Sequence, residues 1–257
     1  MSMIHPTAII SDKATIGKNA KIGPHVVIYD DVVIGDNVDI HANVVIYNGA
    51  RIGNNNRFFP GAVVSAAPQD LKYNDESTKT YIGDDNVIRE YATIHRGTTA
   101  TEKTSIGNNN LIMAYCHIAH DCHLGDNIVM ANATQLAGHV YIDDWVVIGG
   151  VVKITQFCSI GKHTMLGADA KITKDVAPYC LLGRIPVQVE GINKVGLSRR
   201  GFTQEKIKEI QNFYNVVLFS GYNNRDGIEK YLSNNDVTPE IQECIDFINN
   251  SKRGILR

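Results

Sequence analysis

A spacing of six residues runs through most of this chain and constrains its fold more than any other feature. Stepping by six from Ile4, the sequence gives Ile10, Ile16, Ile22, Ile28, Ile34, Ile40, Ile46, Ile52, Phe58 and Val64. The same phase holds at Ile82, Ile88 and Ile94, and then without a break from Ile106 through Leu136 and Ile154 to Ile172. Of the 29 slots between 4 and 172, 26 are large and apolar; Asp70, Glu76 and Ala100 depart. Two residues before the slot sits something small or β-branched, as at Ala14, Val32, Cys116 and Val146. Glycine often follows it, as at Gly17, Gly35, Gly83 and Gly125. Neither a helical period of about 3.6 nor a plain strand alternation produces this pattern. It fits very short strands, each turning two side chains inward, joined by tight turns in which Gly or Asn takes up φ > 0. Repeats of this kind stack into a parallel β-helix whose coils hydrogen-bond to one another.

The pattern resembles the left-handed parallel β-helix of the hexapeptide acyltransferases. That resemblance, rather than the period itself, implies three hexapeptides (about 18 residues) per coil, a left hand, and about nine or ten coils. Residues 65–81 (SAAPQDLKYNDESTKTY) and 96–105 (RGTTATEKTS) put polar side chains where the core needs apolar ones. Both read as loops thrown out from the prism, and excursions on a rigid scaffold commonly carry function. A tolerated surface insertion has the same appearance. From about Leu197 the period disappears. Thr203 caps a helix through EKIKEIQNFYNVVLF with Ile207, Ile210, Val217 and Leu218 on its apolar side. A shorter helix is expected over 225–232, and Thr238-Pro239-Glu240 is a further start signal. The expected organisation is a β-helix over 1–196 followed by a small α-helical domain over 197–257.

Bulk properties narrow the function. An apolar content of 44% with 20% charged residues supports a sizeable core. A net charge of −2 gives no basic footprint for nucleic acid. No apolar run reaches membrane-spanning length, and MSMIHPTAII has neither a basic start nor a sustained apolar stretch. The five cysteines are odd in number and form no CxxC pair, which points to thiols in a reducing, cytoplasmic setting.

Chemistry concentrates in CHIAHDCHLGDNIVMANATQLAG, residues 116–138. Strands of adjacent coils lie about 4.8 Å apart, so residues one coil on become neighbours. Adding 18 places His120 over Gly138, then Gln156, beside a column of Asp121 and His139; His117 stacks on Gln135. These are not inward slots, so the side chains point outward or sit at a corner. A neutral imidazole can take a proton from an attacking hydroxyl. An adjacent carboxylate can orient the ring and support the imidazolium, and a glycine amide can donate to an oxyanion. No GxSxG motif suggests a covalent intermediate. A lone histidine on a solenoid is most often surface, but His95, His117, His120, His123 and His139 cluster on neighbouring coils. The rival reading is a zinc site built from His117, His120 and His123 at a subunit interface, as in gamma-class carbonic anhydrases. His117 and His123 fall six apart on successive faces, which disfavours a shared ion within one subunit, and the expected metal set is none.

On its longer motifs the chain is similar to the UDP-N-acetylglucosamine acyltransferases of lipid A biosynthesis. The matching segments are IHPTAII, QDLKY at 69–73, TIHRG at 93–97, HIAHDC at 117–122, LAGH at 136–139, TQF at 155–157 and GLSRRGF at 196–202. The resemblance implies that a 3-hydroxyacyl chain passes from acyl carrier protein to the 3-OH of UDP-N-acetylglucosamine, with no bound cofactor. It implies that His120 is the general base, assisted by Asp121, with Gly138 as the oxyanion amide. Asp70, Lys72, His95, His117, His139, Gln156, Asn193, Arg199 and Arg200 match positions that line the UDP-sugar or acyl site. Ala168 falls where acyl length is set. The resemblance also implies a homotrimer with sites between subunits, the loop of Asp70 and Lys72 reaching a neighbour's His120. Thr155 and Val195 depart from the family pattern, which bears on uridine and ribose recognition. Transfer to the amine of a 3-amino UDP-sugar is an alternative. The later N-acyltransferase of the pathway carries an extra domain before its β-helix, and here the repeat begins at Ile4.

Overall fold

The computed structural model describes residues 3–257. Its larger part is a left-handed parallel β-helix with three flat faces. Among the described residues the faces are sheets of eleven, nine and eight strands. The first sheet starts at Met3–Ile4, the second at Ile9–Ile10 and the third at Thr15–Ile16, and the chain visits them in that rotation. Most strands are two residues long because each face of a coil holds a single hexapeptide. The second residue of the pair is the periodic slot. Ile28, Ile46, Ile88, Ile94, Ile112 and Ile118 are all fully buried and stack coil upon coil. Each such burial contributes roughly 1.5–3 kcal/mol, so the column of slots is the core.

The period survives both excursions because each adds whole hexapeptides. Ile52 pairs with Ile82 and Ile82 with Ile106, separations that exceed the usual coil by two hexapeptides and one. The excursions are narrower than the polar stretches suggested. The strands Val63–Ala66, Lys79–Ile82 and Lys103–Ile106 run into them, since Thr80 and Thr104 turn inward and are buried.

The glycines after the slots have a different reason from the one the sequence suggested. Left-handed turn positions are held by Asn19, Asn37, Asn55, Asn109 and Asn127, and also by Asp121, His139, Trp145 and His163. Asparagine does supply φ > 0, but the glycine after the slot does not. It is there because the next coil approaches too closely. A Cβ on Gly17 would lie 2.3 Å from the Gly35 carbonyl oxygen, and one on Gly53 would lie 2.2 Å from the Asp84 carboxylate. That approach lets Asp36, Asn54, Asp84, Asn108, Asp126 and Asp144 each accept a backbone N–H from the preceding coil.

The last coil closes with an antiparallel pair, Cys180–Gly183 and Gln188–Ile192. Four helices follow: α1 (Lys194–Arg199), α2 (Gln204–Val217), α3 (Asn224–Leu232) and α4 (Pro239–Asn250). Thr203 caps α2 through the Lys206 N–H, and Ile207, Ile210, Val217 and Leu218 are buried as expected. Thr238 makes no side-chain cap; its hydroxyl donates to Glu209 of α2 instead, tying α4 to that helix. No described helix is long and apolar enough to cross a membrane.

Candidate active site

His120 and Asp121 occupy the turn between His117–Ile118 of the second sheet and His123–Leu124 of the third. Gly138 with His139, and Gln156 with Phe157, hold the same corner in the next two coils. Direct contacts establish the stack. The His139 N–H donates to the His120 carbonyl, and the Phe157 N–H donates to the Gly138 carbonyl.

The corner is more enclosed than its outward position implied: His120 is 7% and Asp121 6% exposed. The reason is the excursion after Arg96, which folds back over Asp121. The carboxylate Oδ1 accepts the Thr98 N–H at 2.9 Å and the Thr101 hydroxyl. Oδ2 accepts the Thr98 hydroxyl at 2.7 Å and meets His120 Nδ1 at 2.7 Å. Burial raises the Asp121 pKa, but the hydrogen bonds from Thr101, His120 and Thr98 outweigh it and hold the group below its ordinary range. An ionised Asp121 can only accept, so Nδ1 of His120 carries a proton, and in the neutral ring Nε2 keeps its lone pair.

The imidazole lies against Gly138. A Cβ there would stand 2.5 Å from His120 Cε1 and 2.8 Å from Nε2, so a side chain at 138 would drive the ring off Asp121. The Gly138 N–H donates to no group among the described residues. His139 sets its ring edgewise to His120, at 5.3 Å between centroids, and stacks on Phe157 at 4.6 Å. Burial lowers the His139 pKa, against the opposing charges of Asp121 and, more weakly, Asp70 of the same chain.

Two further histidines line the second sheet beside this corner. His95 is buried with its Nδ1 unpartnered, and burial, with His117 and His120 nearby, pushes its pKa down to about 4. His117 meets it edge-on and pairs Nδ1 with Thr93 Oγ1 at 2.8 Å. A groove of ≈ 430 Å³ runs past His95, lined also by Tyr29, Tyr47, Gln69 and Arg96. Arg96 reaches out to the Tyr73 hydroxyl, and so anchors the loop of Asp70 and Lys72. Lys72 itself is exposed, and its N–H donates to the Asp70 carboxylate. Gln156 is exposed at the rim.

Asn193, Arg199 and Arg200 lie elsewhere. They rim a cavity of ≈ 530 Å³ on the first sheet, floored by Val147, Met165 and Leu181. Arg200 sits over Trp145, 5.2 Å from the ring centre, and meets His163 Nδ1 at 3.3 Å. Trp145 and His163 stack with Tyr179 along the corner between the third and first sheets. Burial, reinforced by Arg200 and Lys162, pushes the His163 pKa down to about 4, so its ring is neutral and accepts from the guanidinium. Asn193 caps α1 through the Gly196 N–H and donates to the His163 carbonyl. Ala168 is exposed at the third corner, between Met165–Leu166 and Lys171–Ile172. One chain therefore gathers His95, His117, His120, Asp121, Gly138, His139 and Gln156, and leaves Asn193, Arg199, Arg200 and Ala168 on other edges. Of the two departures, Thr155 donates its hydroxyl to the Ile172 carbonyl, and Val195 is exposed beside the Arg200 cavity.

The zinc reading finds no support in the donor set. His117 and His123 belong to different sheets and pair with Thr93 and Ser105. Among the described residues, His120, Asp121 and His139 alone approach a ligand cluster. However, both oxygens of Asp121 already accept two protein donors each, which leaves the carboxylate no free lone pair for an ion.

Thr98, Thr101, Trp145 and His163 were not singled out from the sequence. Adding 18 to Trp145 gives His163, so that stack was open to the same arithmetic that found His120 over Gly138. The threonines had no such signal, because they come from an insertion.

A three-sided coil of hexapeptides with an imidazole–carboxylate pair on one edge defines a hexapeptide-repeat transferase. Comparison agrees: residues 13–48 and 103–138 match the bacterial transferase hexapeptide family, and 175–256 match domain 2 of Udp N-acetylglucosamine O-acyltransferase. The chain is 47% identical over 262 residues to the acyl-acyl-carrier-protein–UDP-N-acetylglucosamine O-acyltransferase of Janthinobacterium sp. (strain Marseille), covering all of both. LpxA, a UDP-N-acetylglucosamine acyltransferase from Bacteroides fragilis 9343, superposes with a TM-score of 0.98 at 46% identity, covering 99% of this chain and 100% of that one. LpxA from Acinetobacter baumannii superposes at 0.96 with 40% identity, covering 99% and 100%. The chain belongs to the UDP-N-acetylglucosamine O-acyltransferase family.

Proposed function

We propose that this chain transfers a 3-hydroxyacyl group from acyl carrier protein to the 3-OH of UDP-N-acetylglucosamine, the first step of lipid A biosynthesis. The observation that carries the mechanism is the His120 Nδ1–Asp121 bond, which leaves Nε2 free as a proton acceptor beside Gly138. His120 takes the proton of the sugar 3-hydroxyl as its oxygen attacks the thioester carbonyl. Asp121 stabilises the imidazolium without becoming protonated. The carbonyl oxygen gains negative charge and is met by the Gly138 N–H. Collapse of the tetrahedral intermediate breaks the C–S bond, and His120 returns its proton to the departing carrier thiol. The products are an ester and free carrier.

The neutral His117 and His139, kept so mainly by burial, act as uncharged hydrogen-bonding groups toward the sugar. His95 offers its unpartnered Nδ1 in the same way, Gln156 reaches from the rim, and Asp70 and Lys72 close over the nucleotide. Asn193, Arg199 and Arg200 occupy a separate edge of the chain, which favours a homotrimer whose sites lie between copies, one supplying His120 and its neighbour the guanidiniums for the pyrophosphate. Ala168 sets acyl length by leaving space. The enzyme works in the cytoplasm without a bound cofactor.

The test is mass spectrometry of the product formed from UDP-N-acetylglucosamine and a ladder of 3-hydroxyacyl carrier proteins. An ester that disappears with a folded His120→Ala protein supports the reading. Product only with the 3-amino sugar would change the acceptor, and a wild-type rate in His120→Ala would remove the base.

A further inference from the structure

The carboxylate of Asp121 is met by more of the chain than the base it orients. We infer that Thr98, with Thr101 in a lesser role, is a positioning residue: it fixes the carboxylate so that Asp121 holds His120 with Nε2 directed at the acceptor hydroxyl. This rests on the reading of His120 as the base.

Thr98 binds both carboxylate oxygens, Oδ1 through its N–H and Oδ2 through its hydroxyl. A threonine hydroxyl has one proton and can also accept. At Thr98 the accepting side is taken by the Ala100 N–H, 3.2 Å away, which commits the proton to Asp121. The oxygen it reaches, Oδ2, is also the one that faces His120. Thr101 is less committed, because its single proton is shared between Asp121 and the Lys103 carbonyl, 2.9 Å distant. Thr101 makes the larger single contribution to keeping Asp121 ionised, but it reaches only Oδ1, so orientation of the oxygen that faces His120 falls to Thr98.

The loop that presents Thr98 is braced at its neck. The Thr78 hydroxyl donates to the Gly97 carbonyl, and the Gly97 N–H to the Lys79 carbonyl. A Cβ on Gly97 would lie 2.3 Å from the Lys103 nitrogen, so the neck closes only around glycine. The Glu102 N–H donates to the Thr98 carbonyl and completes the fold-back. With the carboxylate anchored to this loop on one side, rotation about the Asp121 side chain is blocked and the imidazole has one resting orientation. Outer partners that orient a metal-bound histidine typically govern affinity or activity by about 10–100-fold, and a partner that orients a general base through its carboxylate is expected to act on the same scale.

The experiment measures kcat and KM for UDP-N-acetylglucosamine, with the best 3-hydroxyacyl carrier protein, in full-length Thr98→Val, Thr98→Ser, Thr98→Ala, Thr101→Val and His120→Ala. The expected result for Thr98→Val is a kcat lower by about 10–100-fold with KM within about two-fold, since the sugar contacts remain. Thr98→Ser restores most of the rate because the hydroxyl returns, and Thr101→Val loses less than Thr98→Val because the bond to the oxygen facing His120 remains. Should Thr98→Val not fold, Thr98→Ala gives the same kcat readout. Wild-type kcat in Thr98→Val or Thr98→Ala, or a loss that serine does not rescue, overturns the inference while leaving the base in place. Wild-type kcat in His120→Ala removes the base reading instead.

Discussion

Two corners of this β-helix carry stacked imidazoles on equivalent turns, and their surroundings suit them to different tasks. At the corner between the second and third sheets, His120 pairs with an ionised carboxylate that a loop has anchored. At the corner between the third and first sheets, His163 pairs with no carboxylate among the described residues; it lies between Trp145 and Tyr179 and accepts from Arg200. Asp121 and His163 even share the left-handed backbone, with φ of 60° and 58°. The repeat supplies a rigid turn, and what is added to the turn decides its role. An excursion of the solenoid makes one corner suited to moving a proton. The helical domain lays the Arg200 guanidinium on the other, where the proposed function puts the pyrophosphate.

The comparison is broken most severely at Gly138. Gly138→Ala should lower kcat by about 10²-fold or more, because the new methyl would displace His120 from Asp121 and remove general base catalysis. The backbone there is not left-handed, so the protein should still fold, and circular dichroism with steady-state rates separates the two effects. An alanine variant with full activity would mean that the ring does not need its place over the glycine.

Acid separates the corners by degrees. His163 and His95 are both pushed down to about 4, chiefly by burial, from an ordinary 6.5. The unfolded chain therefore takes up protons that the folded chain refuses, and stability falls as pH drops from 6.5 toward 4. The Asp121 contribution has the other origin. Its folded pKa lies below the ordinary 3.8, so that contribution persists through this window and is lost only at lower pH. Urea midpoints measured from pH 7 to 4 should decline, and His163→Gln should flatten the decline. An unchanged slope would show that His163 titrates freely in the fold.

Much of this was legible because a period of six leaves little freedom. Ile118 and Leu136 had to stack, and that alone brought His120 over Gly138 and Asp121 beside His139. The glycines misled, since their spacing looks the same whether a turn needs φ > 0 or the next coil needs room; only the Gly35 carbonyl against Gly17 distinguishes the two. Thr98 was illegible for a different reason. It lies 23 residues from Asp121 inside an insertion, where stacking arithmetic does not apply, and its contact depends on how the loop returns. The distance of Arg200 from His120 was equally hidden, because sequence order does not show which edge of a prism a helix covers.

The proposed homotrimer would bring together two corners that one chain keeps apart, and mixing two inactive variants tests it directly. His120→Ala and Arg200→Ala subunits are denatured together in equal amounts and refolded, so that the proposed homotrimers would form from both kinds of copy. If each site takes its base from one copy and its guanidinium from the next, about a quarter of the sites regain both, and activity returns to about a quarter of wild type. If base and guanidinium serve a site within one chain, every mixed trimer stays inactive, and that result, with subunit exchange verified by mass, would contradict the account.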